Sequence, residues 1–353
     1  MSTVETRTQV TGPGEASTPV TAGVPLWRRL APWALLAGGL GFGIYLQTLL
    51  IPSEERLAGT VLMYVALASA WNLIGGFTGY ACFGQVGFFG LGGYLTALLM
   101  YWLHWSFWIS MPLSGVIAGL FAALVGAPLL RLKGHYFAVA TLGVAEGVRE
   151  LIANLPKLTG GNGGISIPVS GKDAPTLWSS LGNDGFYLLF LFIAAATVAV
   201  AIFVSTSRSG YALRAIHQDE DAAAAMGINT TRAKTLAFAV SAALTGSVGS
   251  AYAFQQIRID PGPMFLVGIT VLMVVMVVIG GSGSVAGPVV GAIAIAFMSE
   301  WLRDRYSIYQ PFILGGIIIV AVILLPQGFV NYLRDAIRTR QFSLLDNVRR
   351  YRL

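Results

Sequence analysis

Acid–base chemistry, metal binding and nucleophilic catalysis all need particular side chains held together, and this sequence offers few of them. Carboxylates cluster once, at Asp219, Glu220 and Asp221. A further acid, Glu146, lies in an apolar stretch with Arg149 three residues on. An ionisable group within a membrane span is costly and normally faces a cavity or a partner. A spacing of three also places Arg149 on the same helix face, so a local ion pair is the simpler expectation. His104, His135 and His217 are far apart and lack metal-ligand spacing, so no metal site is expected. Cys82 stands alone in an apolar stretch, where a buried structural thiol is the default. The sequence contains no GxxxxGK[ST] phosphate loop, no GxSxG elbow and no HExxH pair. Neither an enzyme nor a cofactor held by this chain is expected.

The elements that must position these residues are set by composition. Of 353 residues, 55% are hydrophobic and only 11% charged, with a mean hydropathy of +0.71. Soluble domains carry about a quarter charged residues, so lipid must be part of this chain's solvent. The expected fold is an all-α integral membrane protein, a polytopic bundle of about ten transmembrane or re-entrant helices. Ten stretches approach the ~20 apolar residues that a span requires: 32–51, 57–76, 81–102, 108–129, 135–154, 185–205, 234–255, 264–282, 285–302 and 309–328. Two are irregular, 81–102 through its glycines and 135–154 through Glu146, Arg149 and Glu150, and each is expected to be a full span or a short, broken or re-entrant element. With both termini inside, fifteen of the 22 Lys and Arg fall on the cytoplasmic side, as the positive-inside rule requires. The +6 net charge therefore reads as topology signal and contact with lipid headgroups, and no nucleic-acid partner is expected.

The domain reading is then a flexible cytoplasmic tail over 1–30, a transmembrane domain over 31–330 and a basic cytoplasmic tail over 331–353. Two connections exceed the usual turn length, an outer one at 155–184 and an inner one at 206–233. In the inner loop the three acids precede an alanine run, and Gly227 follows it. Acids favour the positive end of a helix, alanine propagates it and glycine ends it with φ > 0. The pattern predicts a short surface helix with a small-residue face, suited to a partner's groove or, equally, to serving as a solvated connector. In the outer loop Thr159, Gly160, Gly161, Asn162, Gly163 and Gly164 lack the Lys-Ser/Thr of a phosphate loop and suit a flexible lid or a docking surface. In the third stretch Gly84, Gly87 and Gly90, with Gln85 among them, suit close helix packing or an unwound segment lining a path.

Asp221-Ala222-Ala223, three residues and then Gly227 resembles the EAA-x-x-x-G coupling motif of ABC importer permeases, with Asp in place of Glu. The longer stretch from Leu213 to Asn229 is similar to the branched-chain amino acid permeases of the LivM type. The same family is resembled by the glycine-rich run from Asn72 to Tyr94, by Glu146 and Arg149 followed by the block from Thr159 to Ile165, and by the turn from Gly280 to Gly291. The resemblance implies a permease subunit of the prokaryotic plasma (inner) membrane. It implies coupling of that subunit to separate ATPases through the 213–229 loop. Its partners would be a second permease subunit, two ATP-binding subunits that hold ATP and Mg²⁺, and an extracytoplasmic substrate-binding protein. Leucine, isoleucine and valine are the implied cargo, with urea, short amides or other amino acids as alternatives in the same class. From a different class, an ion-coupled secondary transporter would centre on Glu146 and leave the inner loop without a role.

Overall fold

The computed structural model describes residues 26–167, 182–306, 308–324 and 328–333. Ten long helices match the ten apolar stretches in order: α1 (Leu26–Gln47), α2 (Pro52–Thr78), α3 (Gln85–Trp102), α4 (Phe107–Leu129), α5 (His135–Ala153), α7 (Asn183–Thr206), α10 (Thr230–Gln256), α12 (Val267–Gly280), α13 (Ala286–Tyr306) and α14 (Gln310–Leu324). Between them lie four shorter helices: α6 (Pro156–Thr159), α8 (Arg208–Gln218), α9 (Glu220–Ala225) and α11 (Pro261–Met264). Among the described residues six stretches are long and apolar enough to cross a membrane, and the chain is an all-α polytopic membrane protein. The other four helices fall short for local reasons. Gln85 and four glycines dilute α3, Glu146, Arg149 and Glu150 interrupt α5, Glu300 to Arg305 charge the end of α13, and α14 has only 15 residues.

Helices α2 and α10 form the centre. Each has 27 residues, and 72% and 61% of their apolar windows are buried. A helix apolar on every side belongs inside a bundle, and α2 is packed by α7, α10, α12 and α13. Helix α10 meets α2, α3 and α4, and its partners approach at backbone distance because the contact is lined with small residues. A Cβ at Gly92 of α3 would strike the Gly246 backbone of α10, and the Ser250 hydroxyl donates to the Gly92 carbonyl at 3.1 Å. Helix α1 lies at the edge, packed chiefly on α7, where the Tyr187 hydroxyl donates to the Gly43 carbonyl at 2.8 Å. Trp102, Trp105 and Trp108 are exposed at the α3–α4 junction, where an interfacial aromatic belt belongs.

The apolar interior has two parts. One holds Phe89, Tyr94, Phe107, Phe254 and Met276, and the other holds Ile74, Phe77, Phe137, Leu213 and Phe238. The first extends to a two-residue antiparallel pair, β1 (Ile165–Ser166) with β2 (Arg258–Ile259), in register Ile165↔Ile259. The second extends to α8 through Leu213.

Candidate functional site

The inner loop folds as two helices where the sequence predicts one. Asp219 has extended backbone (φ −158°), and its side chain accepts from the amides of Asp221 and Ala222, both at 2.9 Å. That cap ends α8 and starts α9, because the carboxylate takes first-turn amides that a new helix would otherwise leave unpaired. Gly227 closes α9 at φ +85°, with Gly227 N–H donating to Ala224 O at 2.9 Å and Ile228 N–H to Ala223 O at 3.1 Å. This is the Schellman pattern, which glycine adopts without strain. Ala222, Ala224, Ala225 and Met226 are exposed, Met226 at 83%. Ala223, expected on the same small-residue face, is buried against the body of the protein instead. The exposed small-residue face is therefore narrower than the alanine run suggests.

Beneath α9 lies a cluster that sequence reasoning did not single out. Lys234 of α10 is 2% exposed, and its ammonium donates to Glu220 Oε1 at 2.5 Å, to the Tyr80 hydroxyl at 3.0 Å and to the Leu130 carbonyl at 3.1 Å. The Tyr80 hydroxyl in turn donates to Glu220 Oε2 at 2.5 Å. Burial opposes ionisation of Glu220, yet the hydrogen bonds from Lys234 and Tyr80 outweigh it and hold the carboxyl below its ordinary range. Burial, then the neighbouring Glu220 carboxylate, pushes the Tyr80 phenol up. By contrast Asp221 meets Lys133 at 3.1 Å on an open surface, where solvent screens the pair.

Tyr80 belongs to a break between α2 and α3. Gly79 ends α2 at φ +75°, and α3 begins only at Gln85, so the stretch expected as a span from 81 starts as irregular backbone. Its polar groups are taken by side chains from four helices. The Trp71 indole donates to Cys82 O at 2.7 Å, Phe83 N–H donates to Thr141 Oγ1 at 3.2 Å and Val86 N–H donates to Thr270 Oγ1 at 2.9 Å. Gln85 is fully buried and donates to Ser241 Oγ at 2.8 Å and Thr245 Oγ1 at 2.7 Å, both on α10. Its Oε1 has no hydrogen-bond partner among the described residues. Irregular backbone buried inside a bundle survives only under such protection. Gly87 packs so closely that a Cβ would come within 2.8 Å of Ala145 Cα, and one at Gly90 would meet the Phe265 ring.

Glu146 and Arg149 are together, with Arg149 Nε donating to Glu146 Oε1 at 2.8 Å and a further contact to Glu150. All three lie on the outward side of α5, away from the buried break. At the other end of the molecule the glycine cluster is closely hydrogen-bonded. Thr159 Oγ1 donates to Ile152 O at 2.6 Å and accepts from Gly161 N–H at 3.2 Å, and Arg258 donates to Gly163 O at 2.8 Å. Gly160, Gly161 and Gly164 all have positive φ, and the segment folds as a compact hydrogen-bonded knot. Asn162 and Gly163 form its exposed tip. Residues 168–181 of the outer loop, and the tails at 1–25 and 334–353, lie outside the described residues.

The family model described as "Branched-chain amino acid transport system / permease component" matches residues 54–324. The chain belongs to this family. The permease is 30% identical over 310 residues to the high-affinity branched-chain amino acid transport system permease protein LivM of Salmonella typhimurium, covering 80% of this chain and 71% of the relative. LivM of Escherichia coli K12 gives the same identity and coverage. LivH of Salmonella typhimurium is 23% identical over 290 residues, covering 76% of this chain and 91% of that protein. No solved structure matches the chain at a significant level.

In the permease, then, the residues singled out from sequence fall into three places. Asp219, Glu220, Asp221, Ala222, Ala223 and Gly227 build α9 and its caps. Gly84, Gln85, Gly87 and Gly90 form the start of α3, separate from the exposed Glu146–Arg149 pair on α5. The Thr159–Gly164 knot is joined to α11 through the β1–β2 pair. Lys234 was visible only as a cation in the first turns of an apolar helix. Its partners come from three other parts of the chain, and no local spacing announces them.

Proposed function

We propose that this chain is one permease subunit of an ATP-driven importer of branched-chain amino acids, set in the prokaryotic plasma membrane without catalytic activity of its own. ATP and Mg²⁺ belong to two separate ATPase subunits, and a second permease subunit and an extracytoplasmic binding protein complete the assembly. The observation that carries this reading is α9, a capped helix that exposes Ala222, Ala224 and Ala225 and whose opposite side is anchored in the membrane domain. A small-residue face admits close approach by a partner groove, and the anchor lets a push on α9 reach the helices. The relatives named for branched-chain amino acid transport support leucine, isoleucine and valine as cargo.

The orientation we propose is ten crossings with both termini inside. Three contacts support it by gathering alternate connections at one end: Asn72 Nδ2 donates to Ser284 O at 2.9 Å, Tyr80 donates to Glu220, and Lys133 donates to Asp221. Two of those connections hold Arg131, Lys133, Arg208, Arg214 and Arg232, which are among the basic residues expected in the cytoplasm. The ion-coupled alternative fares worse. As the sequence frames it, that reading centres on Glu146, which is half exposed and already paired with Arg149.

The test is uptake in proteoliposomes holding the complete assembly. Ala225→Glu and Met226→Glu put a charge on the docking face and touch no buried contact, so both are expected to insert normally while ATP-driven leucine uptake falls at least about tenfold, as for a charge forced into an interface core. Unchanged uptake in both would overturn the assignment of α9. Uptake that follows an ion gradient without ATP would overturn the class.

A further inference from the structure

A lysine ammonium has three N–H donors, and in Lys234 all three are used, each by a different part of the chain. One goes to Glu220 on α9, one to Tyr80 in the α2–α3 break and one to the Leu130 carbonyl at the end of α4. The ammonium also lies 4.5 Å from the centre of the Tyr80 ring, at cation–π distance. Because Tyr80 donates back to Glu220, the three side chains close a ring, and no member can leave without stranding another in a buried place. The neighbouring Gly79 adds shape to this link, since a Cβ there would meet the His217 imidazole of α8 at 2.8 Å.

The upper end of the break is held by the same helix. Ser241 lies seven residues beyond Lys234, about 10 Å along α10 at 1.5 Å per residue. With Thr245 it fixes Gln85, the first residue of α3. The irregular stretch from Gly79 to Gly84 therefore runs between two anchor points on α10, one at the surface loop and one deep in the bundle. In place of helical hydrogen bonds it is held by the Trp71 indole on Cys82 O and by Thr141 Oγ1 on Phe83 N–H.

We propose that Lys234 is a positioning residue for transport: by locking Glu220 to Tyr80 it makes α9 and the 79–84 break move as one body, so displacement of α9 is delivered to the start of α3 inside the membrane. This rests on the reading of α9 as the ATPase-docking helix. Lys133 cannot serve in this way, because its pair with Asp221 is open to water and touches nothing in the break.

The experiment compares uptake per ATP hydrolysed in proteoliposomes of the complete assembly. Lys234→Met combined with Glu220→Gln removes both charges together, so no lone buried charge is left to unfold the chain. Tyr80→Phe removes one hydroxyl and keeps the ring. Tyr80→Phe, which lies outside α9, is expected to retain the ATPase subunits on purification and a basal hydrolysis rate within about twofold; the double variant, which alters α9 itself, is read by its uptake per ATP alone. Leucine uptake per ATP should fall at least about tenfold in the double variant and about fivefold in Tyr80→Phe, inside the usual span of coupling between sites. An unchanged ratio in both variants would overturn the proposal. So would a parallel loss of assembly, hydrolysis and uptake in Tyr80→Phe, which would mark the cluster as a fold-stabilising contact only. Failure of the underlying reading looks different: the unaltered chain would not retain ATPase subunits at all, and both inferences would fall together.

Discussion

Glu220 sits between burial, which favours its neutral form, and two donors that favour the carboxylate and win. Its folded pKa lies below the unfolded value of 4.5, so the stability it contributes is present above that value and lost as pH falls through the depressed one. Hydrogen-exchange protection factors of the α9 amides, corrected for the intrinsic rate at each pH, should therefore stay flat between about pH 8 and pH 5 and fall only in stronger acid, below about pH 4. Loosening of α9 near neutral pH would show that the carboxylate is not held as described. Removing one partner of a buried pair typically costs about 3–5 kcal/mol, because the other is left uncompensated. That explains why single substitutions are poor probes of this cluster. The residue scale is also where sequence reading reached least far. Asp219 and Gly227 were legible because caps act over three or four residues. Lys234 was not, because a buried lysine is defined by partners up to 154 positions away.

At the scale of elements, all ten apolar stretches are helices, because hydrophobic length is a local property and the bundle preserves it. The start of α3 was legible only as an irregularity. Glycines marked it, but the Trp71, Thr141 and Thr270 side chains that cap its backbone come from α2, α5 and α12. The glycines themselves divide by what stands opposite them. Gly92→Ala drives a Cβ into the α10 backbone, and neither helix can yield alone. It should destabilise the detergent-solubilised chain by about 1–3 kcal/mol in thermal unfolding. Gly143→Ala on α5, with nothing within 4 Å, should leave the isolated chain within about 0.5 kcal/mol. Equal effects at the two positions would contradict the packing of α3 on α10.

On the scale of the whole molecule, one face is unfinished. Tyr136, Val139, Gly143, Glu146, Gly147 and Glu150 form an exposed stripe along α5, with charges that lipid would not accept and two glycines at the four-residue spacing used for helix contacts. The proposed second permease subunit suits this face. Val139→Cys, at a position 70% exposed, should then form a cross-link with that subunit in the complete assembly, whereas a cysteine replacing Leu35 of α1 should not. The converse pattern would move the interface to α1. That outer helix also tells how the molecule is made. Its anchor, the Tyr187 hydroxyl, is encoded 144 residues after the Gly43 carbonyl it grips. At about 5–20 residues per second, the growing chain needs on the order of ten seconds to supply it. Through that interval α1 is without the helix it packs on, α7. Leu35 and Phe42, 77% and 64% exposed even in the finished fold, suit it to that wait. Membrane insertion of the first helix and its capture by α7 are thus separate events in the life of the protein, and an error in the second leaves the first intact.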